Sequence, residues 1–302
     1  SKVDLDTFDA AEIRDYLTAV GESVVCFRED SIVKVHVHTK TPGEILNHCQ
    51  RWGEYLTLKI ENMALQHNET ELRKQASKEP EFKIHKHIGI VTVASGEGLV
   101  QTLLEAGADE VIRGGQTMNP SAQDFVDAFK KTAAETIFVY PNNSNIVMTA
   151  LQAASLFEES KVIVIPTKTI GEGYVGIASL DKSGKDVDSL AESQKETLSG
   201  VTCAMVSRAN RDTEMNGVKV SEGHYIGICK GEIITDNADP RQALLDLCEA
   251  TGAGDHDVAV VFFGQDADAE GIAEALQAKY PMTEFMFIDG GQPVYNYILT
   301  LC

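Results

Sequence analysis

The chain has 302 residues, long enough for two or three domains, with 26 Lys and Arg against 46 Asp and Glu and a formal net charge of -20. That charge repels phosphate backbones and anionic lipid surfaces, so no nucleic-acid role is expected. No run of about 18 apolar residues offers a transmembrane span, the acidic opening SKVDLDTFDAAE carries no secretory signal, and six scattered cysteines without a CxxC pair read as reduced thiols of a cytoplasmic protein.

The first elements read as a small α+β module. Leu17, Val20, Val24 and Val25 belong to an amphipathic unit that needs partners soon after a short polar opening, which suggests an excised fragment. Residues 8–20 form a helix, 23–27 a strand, and Ile32–His38 its partner across a turn at 28–31. His36 and His38 alternate with Val35 and Val37, so both imidazoles leave one face of that strand. Such a pair can hold a divalent metal, an anion or a partner's carboxylate, or close a hairpin as a half-exposed pair. Two ligands fall short of a structural zinc site, and no cysteine or carboxylate at close spacing completes four-coordination. Next, Thr41 caps a helix, Pro42 takes its first position, and Glu44 reaches back to the free N–H groups. Ile45, Cys49 and Trp52 line one face of that helix, and Gly53 ends it. Residues 56–60 give a further strand, and 61–79, polar and helix-compatible, make a linker carrying His67.

From Ile88 the pattern changes. Strands at 88–93, Glu110–Arg113, 137–140 and 161–165 alternate with helices at 99–105, Ala122–Thr132 and 146–157. Near-continuous apolar strands separated by helices imply a parallel sheet covered on both faces. Ligands of such sheets sit beyond the carboxyl ends of the strands. Three polar segments fall there: Ser95 to Gly98, then Gly114, Gly115 and Gln116 onward through Asn119 to Ser121, then Asn142, Asn143 and Asn145 after Pro141. Their order along the chain lets them converge on one crevice as a ligand or partner surface. Ser121 with Asp124 also fits a capping box, and Pro141-Asn142 a turn. No dinucleotide fingerprint, P-loop, nucleophile elbow or HExxH motif is present, and Ser95, Ser121 and Ser144 have no histidine near them in sequence.

After Pro166 the strand rhythm breaks. Residues 171–174 read as a sharply turned loop, 182–199 as a polar helix, and 201–206 as a strand leading to the clustered arginines Arg208 and Arg211. Gly217 and Gly231 shape an antiparallel meander through Tyr225–Cys229. A helix runs from Asp239-Pro240 to Cys248. Strands Val258–Phe263 and 285–289 then flank a helix at 269–280, a second α/β unit whose last loop is Gly290-Gly291-Gln292-Pro293. Asp266, Asp268 and Asp289 could gather a cation, but acidic helix caps are the commoner use of such residues.

In chain order, KVHVHTKTPG at 34–43, GGQTMNPS at 114–121, PNNSN at 141–145 and GGQP at 290–293 closely resemble one family over essentially the whole chain. It is the large ATP-binding subunit of bacterial fatty acid kinase, a dihydroxyacetone-kinase-like protein. The resemblance implies an α/β protein: a small α+β middle domain at 1–60, a helical linker at 61–80, and a two-lobed DegV-like domain with parallel and mixed sheets at 81–302. It implies that ATP and magnesium are bound only by the N-terminal kinase domain of the same polypeptide, which this stretch lacks. It further implies that a separate DegV-type fatty-acid-binding carrier presents the acyl carboxylate for phosphorylation in phospholipid synthesis. The family's zinc site would fall on His36 and His38, with a cysteine upstream of Ser1, and Cys26 stays an apolar strand position. A homodimer is left open by the sequence.

Three functional readings follow. The first is a non-catalytic docking or regulatory portion of a fatty acid kinase, whose acidic surface meets a basic patch on the carrier. The second is a fatty-acid or small-ligand binding domain that uses the cleft between the two α/β units; an apolar tunnel favours it, a filled core favours the first. The third, a phosphatase-like hydrolase, needs a base within about 3 Å of a nucleophile or a bound metal. The binding surface is expected at Gly114, Gly115, Gln116, Asn119, Asn142, Asn143, Asn145, Arg208, Arg211 and Gln292. Alanine at Asn142 or Asn143 is expected to weaken binding without unfolding the domain.

Overall fold

The computed structural model describes residues 11–29, 32–58, 60, 83–116 and 118–302. The chain divides into two units, Ser1–Pro80 and Glu81–Cys302.

In the first unit, helix α1 (Ala11–Val20) buries Ile13 and Leu17 against Cys26 and Ile45. Strands β1 (Glu22–Glu29) and β2 (Ile32–His38) pair antiparallel, and helix α2 (Pro42–Cys49) follows. Three local expectations change. Thr41 does not cap α2 through its side chain; its own N–H is held by Thr39 Oγ1 at 3.1 Å. The helix stops at Cys49 rather than Gly53, and the chain turns through Gln50 so that Trp52 packs on the same small core. No strand forms at 56–60 among the described residues: Leu56, Leu58 and Ile60 are exposed and have no ladder partner to satisfy their backbone groups. Residues 8–10, 30–31 and 61–79, the last including His67, lie outside the described residues.

The second unit opens with a four-stranded, wholly parallel sheet in the order β4-β3-β5-β6: β3 (Lys86–Ala94), β4 (Glu110–Arg113), β5 (Ala134–Tyr140) and β6 (Lys161–Val164). Side chains alternate between faces, so the near-continuous apolar runs feed two cores. Val91, Val93, Ile137 and Val139 pack under helices α4 (Ala122–Thr132) and α5 (Ser144–Leu156). Ile90, Phe138 and Tyr140 face the other way, onto α3 (Glu97–Ala106), α6 (Ile170–Ser179) and α7 (Val187–Ser199). Helix α4 starts on a complete capping box: Ser121 Oγ accepts from the Asp124 N–H at 3.2 Å, and the Asp124 carboxylate accepts the Ser121 N–H at 2.7 Å. Ser121→Ala should therefore cost about 1 kcal/mol, checked by chemical denaturation of the chain.

Residues 171–174 lie inside α6, not in a loop. Thr169 Oγ1 accepts the Glu172 N–H and sets the helix start. The glycines are there for close approach: a Cβ at Gly171 would collide with Thr300 Oγ1, and one at Gly173 with the Asn142 amide.

A second, mixed sheet runs β11-β10-β7-β14-β12-β13, built from β7 (Thr202–Arg208), β10 (Tyr225–Cys229), β11 (Glu232–Asn237), β12 (Val258–Phe263), β13 (Glu284–Asp289) and β14 (Tyr295–Leu301). A hairpin of β8 (Thr213–Met215) and β9 (Val218–Val220) projects from it. Helices α8 (Pro240–Ala250) and α9 (Ile272–Lys279) cover one face through Leu244, Leu247 and Leu276. Val260, Phe262 and Ile298 on the opposite face join the core that already holds Ile90, Leu99 and Ile177. Helices α3, α6 and α7 are thus the shared middle layer between two sheets.

Of the acidic residues read as a possible cation site, Asp268 is used in an ion pair and a turn, while Asp239 elsewhere serves as a helix cap. Asp239 caps α8, accepting from the Arg241 and Gln242 N–H groups. The Asp268 carboxylate takes the Arg241 guanidinium and the Glu270 N–H. Among the described residues no cluster of three or more metal-ligating side chains occurs.

Candidate functional site

The carboxyl ends of β3, β4, β5 and β6 open onto one crevice, closed on its far side by the start of β14. Its walls include Ser95 after β3, Gly114, Gly115 and Gln116 after β4, Asn142 and Asn143 after β5, and Lys168, Thr169 and Ile170 after β6. The second sheet contributes Met205 of β7, Gln292 to Tyr295, and Ile298 of β14. The cavity volume is about 70 Å³, below the range of about 300–1,000 Å³ usual for small-molecule sites.

Apolar groups dominate the interior: Val93, Ala94, Leu99, Ile170, Met205 and Ile298. The starts of α3, α5 and α6 also meet here, as the wiring of a parallel sheet requires. Two contacts hold the sides together. The Leu99 N–H donates to the Gly290 carbonyl at 3.0 Å. Burial pushes the Tyr295 phenol's pKa up, opposed by a hydrogen bond with Gln116 across the crevice.

The residues expected at the binding surface separate into two groups. Gly114, Gly115, Gln116, Asn142, Asn143 and Gln292 are brought together on the crevice wall. Within that group Asn142 has its amide turned inward and fully used. Its Nδ2 donates to Thr92 Oγ1 (2.8 Å) and the Val93 carbonyl (2.9 Å), and its Oδ1 accepts from Thr167 Oγ1 (2.9 Å). Alanine at Asn142 is therefore expected to weaken the fold, contrary to the reading made from sequence. Asn143 is the N-cap of α5, its Oδ1 accepting the Asn145 N–H at 2.9 Å. Asn119, Asn145, Arg208 and Arg211 are exposed and do not line the crevice; Arg208 Nε donates to the Gly223 carbonyl at 3.3 Å.

Met205, Tyr295 and Ile298 were not anticipated. Their signal was present as apolar alternation in β7 and in YNYILTL, but it marks a core as readily as a ligand wall. Lys168 and Thr169 follow a strand end, the rule that located the other loops, and that rule would have found them.

No histidine or carboxylate lines the crevice among the described residues, so no general base stands beside Ser95 there. The Cys203 thiol, held by Thr169 and Thr300 behind α6, is pushed up to about 11 by burial and stays protonated at neutral pH.

In the first unit, His36 and His38 leave the same face of β2 with ring centroids 5.0 Å apart, near enough to share one ion. Their cross-strand partners are Val25 and Glu22. Two imidazoles are two donors short of a closed zinc shell, and the described residues bring no third ligand to the pair.

Comparison with known proteins places this geometry. Residues 89–301 match the C-terminal domain of the FakA-like fatty acid kinase family, and residues 1–70 match the middle domain of the same family. The chain belongs to the FakA-like fatty acid kinase family. It is 36% identical over 299 residues to protein YloV of Bacillus subtilis, covering 97% of this chain and 53% of that protein. It is 32% identical over 301 residues to the uncharacterized protein SAR1202 of Staphylococcus aureus, covering 97% and 54% respectively. The chain thus spans about half the length of the curated relatives it matches.

The second unit has the DegV fold. A DegV family protein from Corynebacterium glutamicum superposes with a TM-score of 0.53 at 14% identity, over 72% of this chain and 97% of its own. A DegV family protein from Thermus thermophilus, described for its fatty acid binding, superposes with a TM-score of 0.51 at 12% identity, over 71% and 99%. Among the described residues no helix is long and apolar enough to cross a membrane.

Proposed function

We propose that the second unit is a ligand-binding domain whose crevice takes an acyl chain, within a longer fatty acid kinase polypeptide. The observation that carries this reading is the crevice itself. It lies where a parallel sheet presents its loops, is walled by Leu99, Ile170, Met205 and Ile298, and carries a few polar groups at Gly114–Gln116, Asn143 and Gln292. A filled interface between the lobes would have favoured a pure docking scaffold. The fatty acid binding described for a protein of the same fold supports the choice of ligand class.

On this reading, ATP and magnesium are the business of a helical kinase domain outside the present residues, and a DegV-type carrier supplies the acyl carboxylate that is phosphorylated. The chain contributes recognition and positioning rather than phosphoryl transfer. Its charge of -20 suits docking to a basic face of that carrier.

The test is to fill the crevice without disturbing the fold. A side chain at Gly115 would meet only Ser95 Cβ at its base. Gly115→Leu should weaken binding of decan-1-ol at least tenfold by isothermal titration calorimetry, with an unchanged circular dichroism spectrum. Absence of acyl binding to the wild-type chain, or full binding by the folded variant, would remove the crevice from consideration.

A further inference from the structure

The loop after β13 carries a polar atom that the protein leaves without a partner. Gln292 is 4% exposed. Its Nε2 donates to the Phe262 carbonyl at 3.1 Å, and this fixes the orientation of the amide, because turning it over would set two oxygens against each other. Its Oε1 is buried with no hydrogen-bond partner. That oxygen lies over the Cα of Gly290, beside the Leu99 side chain, and both Leu99 and Gln292 line the crevice. Among the described crevice-lining residues, Gln292 alone has a buried polar side-chain atom in this state. Buried acceptors are normally paired, so the unmade bond is an opening for a ligand atom.

What fills it must bring a donor. An ester or an ionised carboxylate offers acceptors only, whereas an alcohol, a primary amide or an un-ionised acid offers O–H or N–H. We propose that Gln292 selects, among acyl-chain ligands of this crevice, those whose polar end donates a hydrogen bond. The inference rests on the acyl-binding reading above and adds the chemistry of the headgroup to it. Discrimination of this kind is large because the wrong ligand leaves a desolvated acceptor unpaired.

The experiment compares decanamide, decan-1-ol and methyl decanoate binding to the full chain by calorimetry, in the wild type and in Gln292→Met. Methionine keeps the length of the side chain and removes both polar atoms. The amide and the alcohol should bind the wild type about tenfold more tightly than the ester, although simple transfer from water favours the ester over the amide. Gln292→Met should erase that preference by weakening the amide and alcohol relative to the ester. Should the variant fail to fold, the wild-type comparison of amide with ester decides alone. Equal wild-type affinities for amide and ester, or a parallel loss of all three ligands in the folded variant, overturn the proposal. If none of the three binds the wild type, the acyl-binding reading falls and this one with it.

Discussion

Replacing Asn142 by leucine should lower the unfolding free energy by about 3–5 kcal/mol, measured as a shift in the guanidinium midpoint. Asn142 sits at φ +59°, in the left-handed region that asparagine tolerates and leucine resists. It is 9% exposed, and its side chain ties β3 to the loop after β6 through Thr92, Val93 and Thr167. Leucine would remove the acceptor of the Thr167 O–H and the amide donor to the Val93 carbonyl, although Thr167 Oγ1 keeps the backbone N–H of residue 142; each lost partner costs about 1–3 kcal/mol. It would also press on Gly173 of α6, whose missing side chain leaves room for the present amide. Asn145, three residues on and exposed, is the control: Asn145→Ala should change stability by no more than about 0.5 kcal/mol. Equal effects at the two positions would show that the network is not structural.

The second large effect is expected at Gly98. A Cβ there would overlap the Asp289 carbonyl oxygen, and one at neighbouring Gly96 would overlap the Gly290 carbonyl oxygen. Here the first turn of α3 lies directly on the backbone of the loop after β13, sealed by the Leu99-to-Gly290 hydrogen bond. Backbone cannot rotate aside as a flexible side chain can. Gly98→Ala should therefore cost about 2–3 kcal/mol and move Gln292 out of register with the crevice. The expected readout is a lowered thermal midpoint together with loss of acyl-ligand affinity in the protein that remains folded. A stable variant with normal binding would mean that the two lobes do not need this contact.

Much of the architecture was legible because its signals are local. The strand runs of β3, β5 and β12, the Ser121–Asp124 box and the Asp239-Pro240 start each announce themselves within a few residues. The crevice loops could be placed because a parallel sheet dictates where its loops fall. What escaped depended on distant partners. The glycines of α6 read as a turn because their reason, close packing on Thr300, Cys203 and Asn142, lies far away in sequence. Strand β14 went unassigned because a short apolar run after Gly-Gly-Gln-Pro takes its identity from β7 and β12, which flank it. Residues 56–60 have strand-like composition but find no neighbour to pair with. For the site, residue types and loop positions revealed which segments meet. They did not reveal that the Asn142 amide is consumed internally while the Gln292 oxygen is left over.

The position of β14 has a consequence for how the molecule is made. It is the keystone of its sheet, lying between β11-β10-β7 on one side and β12-β13 on the other. A polypeptide emerging from the ribosome lays down both flanking pieces before the strand that unites them. Until then the inner borders of β7 and β12 face water with unpaired backbone groups, the condition that invites wrong pairing with other nascent chains. A premature stop before Tyr295 would therefore yield two orphaned half-sheets, and dependence on a chaperone is expected to be greatest just before that strand emerges.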